Sequence, residues 1–251
     1  MSEGIEYKTI KPPLPLTDFV ESFWMLVNHS ESNKDLIILP DGRIDLLFSY
    51  SPSEPFHVIL LGLESEATQT TFVSKTLIFG ISLKLLATEY LLGTSISDLL
   101  NEVRELPPDF WGFTKEDLSS FEHFCNKASE KISSLIKKEI DPRKQKLFNL
   151  IYASDGSLTV KALSEKVHWS SRQINRYFNS QFGISLKAYC NILRFRASFK
   201  HIKEGKLFPE QSFADQAHFI KEVKKFSGVV PKELSKNKND RFIQFSTLPG
   251  E

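Results

Sequence analysis

The sequence of 251 residues predicts an α+β fold, in which a mostly β N-terminal part is joined by a helical connector to an all-α C-terminal part. Residues 1–112 hold short runs of β-branched and aromatic residues, broken by Pro, Gly, Asn and Ser. From residue 113 onward, apolar residues recur at helical spacing. Charge changes as well: residues 1–140 carry 12 basic and 21 acidic residues, and residues 141–251 carry 20 and 10. We therefore expect units at 1–112, 113–141 and 142–245, followed by a tail at 246–251.

The N-terminal unit is expected to form a small barrel or a distorted sandwich. Pro12, Pro13 and Pro15 exclude an N-terminal helix. Asp41 and Gly42 stand between two apolar runs and predict a β-hairpin. The runs typical of strands are FVESFWMLVN, DLIILP, RIDLLFSY, FHVILLGL, QTTFVS and KTLIFGISL.

Some aromatic and charged residues of this unit are candidates for the lining of an effector pocket. They are Trp24, Arg43, Asp45, Phe48 and Tyr50. The favoured alternative places the three aromatic rings in the core and the two charges on the surface of the hairpin.

The connector has one apolar stripe and opens with Thr114 and Asp117 as a helix cap. The stripe consists of Leu118, Phe121, Cys125, Ala128, Ile132, Leu135 and Ile136. It can pack on the N-terminal unit or serve as a dimer face, and core packing is the commoner role of such a stripe. The two cysteines, Cys125 and Cys190, fall on apolar sides of helices, which predicts buried thiols and no disulfide.

The segment SSRQINRYFNSQFG from Ser170 to Gly183 predicts a helix with one apolar and one cationic face. Ser170 and Gln173 form a capping box, so the helix begins at about Ser171. Ile174, Tyr177 and Phe178 face a core. The opposite face carries residue types that contact DNA bases and phosphates, namely Arg172, Asn175, Arg176 and Asn179.

The flanking segments make this helix a candidate recognition helix. LTVKALSEKV, from Leu158 to Val167, is a short helix separated from Ser170 only by His168 and Trp169, which predicts a helix-turn-helix. Downstream, Gly183 ends the helix and Ser185 caps LKAYCNILRFRASFKHIK. That helix is expected to run for ~18 residues, or ~27 Å.

A second, similar unit follows. Asp215 caps QAHFIKEVKKF, Gly228 closes this helix, and Pro231 opens another helical turn. The preceding stretch from 201 to 213, which contains Pro209, has no room for a capped helix of ~8 residues or more, so the second unit is expected to be shortened. Two recognition helices on one rigid linker suit successive major grooves, which recur every ~34 Å.

These segments resemble the AraC/XylS family of bacterial transcription regulators over about the last 100 residues. SSRQINRYFNSQFGISLKAYCNILRFRAS is similar to the first recognition helix and linker helix of that family, and FADQAHFIKEVKKFSGVVPKEL to its second recognition helix and C-terminal signature. The resemblance implies DNA contacts from Arg172, Asn175 and Arg176, with Ser171 and Asn179 beside them, and from Gln216, Ala217, His218 and Lys221. The N-terminal part more loosely resembles the sensor domain of a subgroup with a Pro-Asp-Gly hairpin.

The resemblance implies a sequence-specific transcription regulator, and we expect it to be cytoplasmic, not to be an enzyme and to need no cofactor. Its expected partner is double-stranded DNA, with a small-molecule effector and a homodimer left open, and no membrane. One alternative is a metabolite-binding protein or enzyme whose basic domain only docks it to nucleic acid. Another is an interaction adaptor that uses the stripe of residues 118–136.

Several other classes of site have no support in the sequence. His29, His57 and His123 are far apart and no CxxC pair occurs, which argues against a metal site. The chain has no glycine-rich phosphate loop and no Gly-x-Ser-x-Gly motif. It has neither a signal peptide nor an apolar run of ~18 residues, which leads to the cytoplasmic expectation.

Overall fold

The structure, a computed structural model, describes residues 4–136, 139–208, 213 and 215–248. The strands are β1 Ile5–Ile10, β2 Val20–Asn28, β3 Lys34–Ile38, β4 Ile44–Tyr50, β5 His57–Leu61, β6 Thr68–Phe72, β7 Leu77–Leu83 and β8 Val103–Leu106. The helices are α1 Leu86–Tyr90, α2 Phe121–Leu135, α3 Pro142–Ala153, α4 Val160–Val167, α5 Ser171–Phe182, α6 Leu186–Ala197, α7 Phe199–Lys203, α8 Gln216–Ser227, α9 Pro231–Lys236 and α10 Ile243–Ser246. An antiparallel N-terminal sheet region therefore precedes a helical C-terminal part, as the predicted α+β class requires.

The strands form two sheets. Six strands pair in the order β1-β2-β7-β4-β5-β8, and β3 pairs with β6. The small sheet packs on the large one through Leu26, Leu36 and Phe72. The outer edges of β1 and β8 have no strand partner among the described residues. Of the two expected architectures, the distorted sandwich is closer than a closed barrel.

The expected hairpin at Asp41 and Gly42 is wrong, because the strands on either side of it do not pair. Among the described strands, β3 pairs with β6, whereas β4 lies between β5 and β7. Locally the turn is real: the Asp41 carboxylate accepts a hydrogen bond from the Arg43 N–H at 2.9 Å, and Gly42 has a φ of +76°. A turn signal specifies local chain direction, not the strand that will pair next. Here the turn carries the chain from one sheet to the other.

The connector stripe packs on the large sheet. The ring of Phe121, a member of the stripe, lies 5.2 Å from that of Phe79, and Ile132 is 0 % exposed. Phe124, which the stripe did not include, lies 5.3 Å from the ring of Phe48. The buried part of the stripe is therefore core and is not available as a dimer face. Thr114 and Asp117 do form a capping box, but it caps a separate 3-10 turn, and α2 begins afterwards with Ser120 as its own cap.

The predicted linker helix is interrupted. α6 ends at Ala197, and α7 begins after Ser198. Ser198 is fully buried, and its hydroxyl donates to the carbonyl oxygen of Phe195 at 2.6 Å. Such a side-chain bond to the preceding turn competes with the helical ladder and bends the helix. The expected helix of ~18 residues is thus replaced by one of 12 residues and a short successor of 5 residues.

Candidate nucleic-acid interface

The outer face of α5 is open to solvent because its other face is locked in the core. Ile174, Phe178 and Phe182 are fully buried. The ring of Phe178 lies 5.8 Å from that of Phe148 on α3 and 5.7 Å from that of Tyr189 on α6. Arg172, Arg176 and Asn179 are exposed on the opposite side, as their spacing predicted. Aromatic packing on both sides fixes the rotation of the helix and hence the direction of these three side chains.

The turn between α4 and α5 is short and well supported. His168 has a φ of +53°, which lets the chain reverse immediately after Val167. The Ser170 hydroxyl accepts from the Gln173 N–H at 3.3 Å, and the Gln173 side chain accepts from the Ser170 N–H at 3.0 Å, so the predicted capping box is confirmed. Trp169 packs against Tyr177, with ring centroids 5.5 Å apart. These contacts fix the path of the chain from the turn into α5.

The cations on α5 are not neutralised by any described residue. Arg172 and Arg176, both exposed, make no side-chain hydrogen bond or ion pair with any residue in the described part of the chain. Asn175 is half-buried, and its amide nitrogen donates to the Ser171 carbonyl oxygen at 3.0 Å. Two guanidinium groups without an acidic partner among the described residues have the charge and the donors that anions such as phosphate require.

α8 repeats the arrangement. Asp215 accepts from the His218 N–H at 2.8 Å, and Phe219, Val223 and Phe226 are buried, so the predicted cap and apolar stripe are confirmed. Gln216, Ala217 and Lys221 are exposed. His218 is half-buried, and its ring lies 5.8 Å from that of Phe213. Phe226 stacks on Phe195 of α6 at 5.2 Å.

Both helices therefore pack on α6 and belong to one structural unit. The residues predicted to contact DNA all lie on the surfaces of α5 and α8, where Ser171, Asn175 and His218 are the half-buried members. Before α8, α7 offers only a 5-residue helix, whose His201 ring lies 5.7 Å from that of Phe219. Pro209, part of the predicted shortened stretch, lies outside the described residues.

Long-range contacts anchor the C-terminal end of α5 to the N-terminal region, and sequence reasoning missed them. The Ile96 N–H donates to the backbone carbonyl oxygen of Gln181 at 2.8 Å, and the Ser95 hydroxyl donates to the backbone carbonyl oxygen of Ser180 at 2.8 Å. The Tyr177 hydroxyl donates to Glu89 at 3.3 Å. No local pattern in the sequence marks such pairs, since they depend on how two distant segments meet.

A buried ionic cluster forms a second junction between the two parts. Arg43 is 6 % exposed and bonds to Glu21 at 3.2 Å, and Arg196 of α6 reaches the same carboxylate at 3.4 Å. Burial raises the pKa of Glu21, but the charges of Arg43 and Arg196 outweigh it and lower the pKa to about 2. The Tyr189 hydroxyl donates to the Gly42 oxygen at 2.9 Å. The favoured expectation that Arg43 is a surface charge is thus wrong, because α6 covers the turn.

A small acidic cavity lies beneath the C-terminal helix α10. Its volume is about 20 Å³, and its walls include Asp41, Arg43, Asp45 and Glu64. Burial and the neighbouring Asp41 raise the pKa of Asp45 to about 7 and that of Glu64 to about 8. Gln244 closes the cavity by exchanging two hydrogen bonds with the Leu39 backbone, at 2.9 and 3.1 Å. A space of this size holds about one water molecule.

Of the candidate effector residues, only Arg43 and Asp45 line this cavity. Phe48 is fully buried in the core, as the favoured alternative expected. Trp24 donates its indole N–H to Asp45 at 3.0 Å, and the Lys115 ammonium lies 3.6 Å from the centre of the Tyr50 ring. These side chains therefore do not form one effector pocket.

A larger cavity of about 220 Å³ lies where the loop at Ser65 and Glu66 meets α6 and α8. Its floor is apolar, with Ile184, Ile192 and Phe226, and Lys225 stands on its wall. The volume is below the ~300 to 1,000 Å³ of ordinary ligand sites.

Over the described ranges, no group of three or more His, Cys, Asp or Glu side chains is arranged to hold a metal ion. Cys125 and Cys190 are buried free thiols, and burial raises their pKa values to about 12 and about 11. No helix in this part of the chain is both long and apolar enough to span a bilayer.

Comparison with known proteins identifies partial similarities. Residues 8–105 match the family described as Domain of unknown function (DUF6597). No curated protein matches the chain in sequence.

Among solved structures, the chain is similar to ToxT from Vibrio cholerae at 12 % identity and a TM-score of 0.44, covering 94 % of this chain and 98 % of ToxT. ToxT bound to (E)-4-(8-methylnaphthalen-1-yl)but-3-enoic acid gives 13 % identity and a TM-score of 0.44, with 94 % and 99 % covered. Wild-type ToxT bound to an unsaturated fatty acid gives 13 % identity and a TM-score of 0.39, with 91 % and 93 % covered. These similarities are too weak to assign a function.

Proposed function

We propose that this chain is a sequence-specific DNA-binding transcription regulator in which α4 and α5 form a helix-turn-helix. The observation that carries the proposal is the outer face of α5, where exposed Arg172 and Arg176 have no acidic partner among the described residues and the inner face is locked by aromatic packing. Arg pairs bidentately with guanine in the major groove, and Asn with adenine. A capped helix held at a fixed rotation presents such groups to base edges with no further ordering of its backbone.

α8 is the second recognition helix in this proposal. Gln216 and Lys221 are exposed on it, and it packs on α6 as α5 does. α6 has 12 residues and is thus ~18 Å long, shorter than the expected ~27 Å. We therefore assign most of the specificity to α5 and a weaker contribution to α8, whose preceding helix α7 has only 5 residues.

The N-terminal region is proposed to sense a ligand or partner and to bias the DNA-binding part. In this division residues 1–112 sense, 113–141 connect and 142–245 bind DNA. A family match at residues 8–105 supports treating the β-rich region as a unit. The contacts of Glu89, Ser95 and Ile96 with α5 provide a direct path from that unit to the recognition helix.

An enzymatic role has one observation in its favour, the convergence of Asp45 and Glu64 with raised pKa values. The cavity between them is about 20 Å³ and is closed by Gln244, so it admits no substrate. DNA binding is the better-supported function.

The test is selection of binding sites from random duplex DNA, followed by affinity measurements on Arg176 variants. Arg176→Ala is expected to cost ~1 to 3 kcal/mol on the selected site and to relax the preference at one base pair. Arg176→Lys keeps the charge but loses the planar fork, so it should retain non-specific binding and lose the base preference.

The control is Lys131→Ala, which removes one positive charge from α2, the helix packed on the sheet. It should leave both the selected site and its affinity unchanged. If selection enriches no sequence, the proposed function is wrong. If Arg176→Ala binds the enriched site as the wild type does, the proposed recognition helix is wrong.

A further inference from the structure

The free edge of β1 has a charge pattern that is complementary to itself. β1 forms one outer edge of the large sheet and reads Ile-Glu-Tyr-Lys-Thr-Ile. Its two charged residues, Glu6 and Lys8, stand on either side of Tyr7 in the sequence. Their side chains share one face of the strand, and the Tyr7 side chain lies on the other face. A two-fold axis through Tyr7 would therefore place each Glu6 opposite Lys8 of a second copy.

The backbone phase of β1 suits the same axis. The His29 N–H donates to the Gly4 oxygen at 2.7 Å, and the register with β2 continues from this pair. Along an antiparallel ladder, hydrogen-bonded pairs alternate with pairs that are not hydrogen-bonded. The even-numbered residues of β1 therefore bond to β2, and the N–H and C=O groups of Ile5, Tyr7 and Thr9 point outward. Within the described ranges, no backbone bond to these outward groups is found.

We propose that two copies of this chain associate through β1, antiparallel and centred on Tyr7, to form a twelve-stranded sheet with two-fold symmetry. Tyr7 then pairs with Tyr7 of the second copy, and Ile5 with Thr9, each pair exchanging two hydrogen bonds. Glu6 and Lys8 meet across the interface in both directions, which stabilises cross-strand pairs. The symmetry closes the edge and stops further growth.

Other registers of this edge lack the complementarity. Centring on Ile5 places Glu6 opposite Gly4, and centring on Thr9 places Lys8 opposite Ile10, so neither opposes unlike charges. Ile5 and Tyr7 also pack against the cluster of Leu26, Leu36 and Phe72, which holds the strand in place for pairing.

The other sheet edge, β8, does not offer an equivalent surface. The Gly62 N–H donates to the backbone oxygen of Glu102, which makes Glu102 and Arg104 the residues that bond to β5. The backbone N–H and C=O groups of Val103 and Glu105 therefore point outward. Self-pairing centred on Glu105 would oppose two like charges, which is destabilising. Self-pairing centred on Val103 would require the turn at Asn101, with a φ of +60°, to become extended.

This dimer does not depend on DNA binding. To test it, the charges of Glu6 and Lys8 are reversed one at a time, and the association of the full chain is measured by sedimentation velocity. The wild type should sediment as a reversible dimer. Lys8→Glu and Glu6→Lys should each weaken the dimer at least about tenfold, since each opposes like charges across both halves of the interface. An equimolar mixture of the two variants should dimerise again, because every opposing pair then carries unlike charges.

Two further variants test whether the backbone edge of β1 itself forms the interface. Thr9→Pro removes an outward N–H without altering charge or the backbone bonds to β2, and it should weaken the dimer with an unchanged circular dichroism spectrum. Because it also removes the bond of 3.2 Å from the Thr9 hydroxyl to the Phe23 backbone oxygen, its control is Thr9→Val, which loses that bond, keeps the outward N–H and should still dimerise. Glu105→Lys, on the exposed edge of β8, should leave the dimer intact.

A wild type that remains monomeric at its highest soluble concentration would overturn the inference. So would a mixture of Lys8→Glu and Glu6→Lys that stays monomeric, or a dimer that survives Thr9→Pro. Each variant also loses the ion pair of 2.8 Å between Glu6 and Lys8 within one chain. That loss persists in the mixture, so it cannot explain association that returns when the two variants are mixed.

Discussion

Arg43 illustrates how the surroundings of one side chain determine its role. In the sequence it follows a Pro-Asp-Gly turn and looks like a surface charge. In the structure its guanidinium lies 5.0 Å from the centre of the Tyr152 ring and bonds to Glu21. Its Nε has no hydrogen-bond partner among the described residues. The buried charge is tolerated because Glu21 compensates it, and this pairing ties the N-terminal turn to the helical part.

Glu64 shows the opposite case, a buried carboxyl that pairs with no cation among the described residues. Burial and the nearby Asp41 raise its pKa from 4.5 to about 8. The folded protein therefore binds a proton that the unfolded chain releases above pH 4.5. The stabilisation is complete at pH values below 4.5 and is lost as the pH rises through about 8.

We predict that Glu64→Gln flattens the pH dependence of stability. The wild type should lose melting temperature between pH 5 and 8, whereas the neutral amide has no proton to release over that range. The dependence should become smaller without vanishing, because Asp45, whose pKa is raised to about 7, still releases its proton there. Thermal unfolding followed by circular dichroism measures this. Glu66→Gln, which changes an exposed carboxyl two residues away, is the matched control. If Glu64→Gln and the wild type lose melting temperature in parallel, the Glu64 carboxyl is ionised in the fold.

At the scale of elements, the helix ends follow local rules while the helix lengths do not. Ser170, Ser185 and Asp215 cap the helices that the sequence assigns to them. The break after Ala197 escapes a periodicity argument, because the apolar pattern continues through Ser198 into α7. A buried serine can leave a helix regular, or its hydroxyl can bond to the preceding turn and interrupt the helix. Only the packing around the serine decides which of these occurs.

Two glycines at helix ends provide a comparison between local and long-range constraints. Gly183 ends α5 with a φ of +69°, and Gly228 ends α8 with a φ of +76°. A Cβ at position 183 would overlap the backbone oxygen of Ser97, whereas a Cβ at position 228 would meet open space.

We predict that Gly228→Ala lowers the free energy of unfolding by ~1 to 2 kcal/mol, the cost of a left-handed conformation alone. Gly183→Ala should cost more, because it also pushes the end of α5 away from Ser97. Urea titration of both variants measures the difference. Equal losses would mean that the contact between α5 and the segment at residues 95–97 contributes nothing to stability.

At the scale of the whole molecule, one apolar core runs through the sheet region and the helical part. The same cluster of buried side chains includes Phe23 of β2, Phe148 of α3 and Phe226 of α8. Gln244 of α10 also bonds to the Leu39 backbone, which brings the C-terminal end onto the small sheet region. The two parts are therefore expected to unfold together.

We predict a single unfolding transition in urea when each part is monitored separately. A variant with Trp111→Phe and Trp169→Phe reports only through Trp24 of β2, and one with Trp24→Phe and Trp111→Phe reports only through Trp169. For each variant, the urea midpoint measured by tryptophan fluorescence should equal the midpoint measured by circular dichroism on the same variant. Comparing the two signals within one variant removes the effect of the substitutions on stability. Separate midpoints would show that the sheet region and the helical part fold independently.

The sequence by itself determined the features that depend on neighbours a few residues away. The α+β class, six of the eight strands, the caps and the two faces of α5 follow from spacing and residue type. β1 and β8 were not among the predicted runs, because β1 alternates charges with apolar residues and β8 has only 4 residues. The site residues on α5 and α8 could be placed on an exposed face, but their DNA contacts remain predictions.

Only the tertiary structure decided which distant segments meet. It separated the strands on either side of Gly42 into two sheets, buried Arg43 beneath α6, and anchored α5 to the segment at residues 95–97. The physical reason is that local signals act through backbone dihedrals and hydrogen bonds within a turn. Pairing partners and burial depend instead on the fit of surfaces far apart in the chain, which no short window of sequence contains.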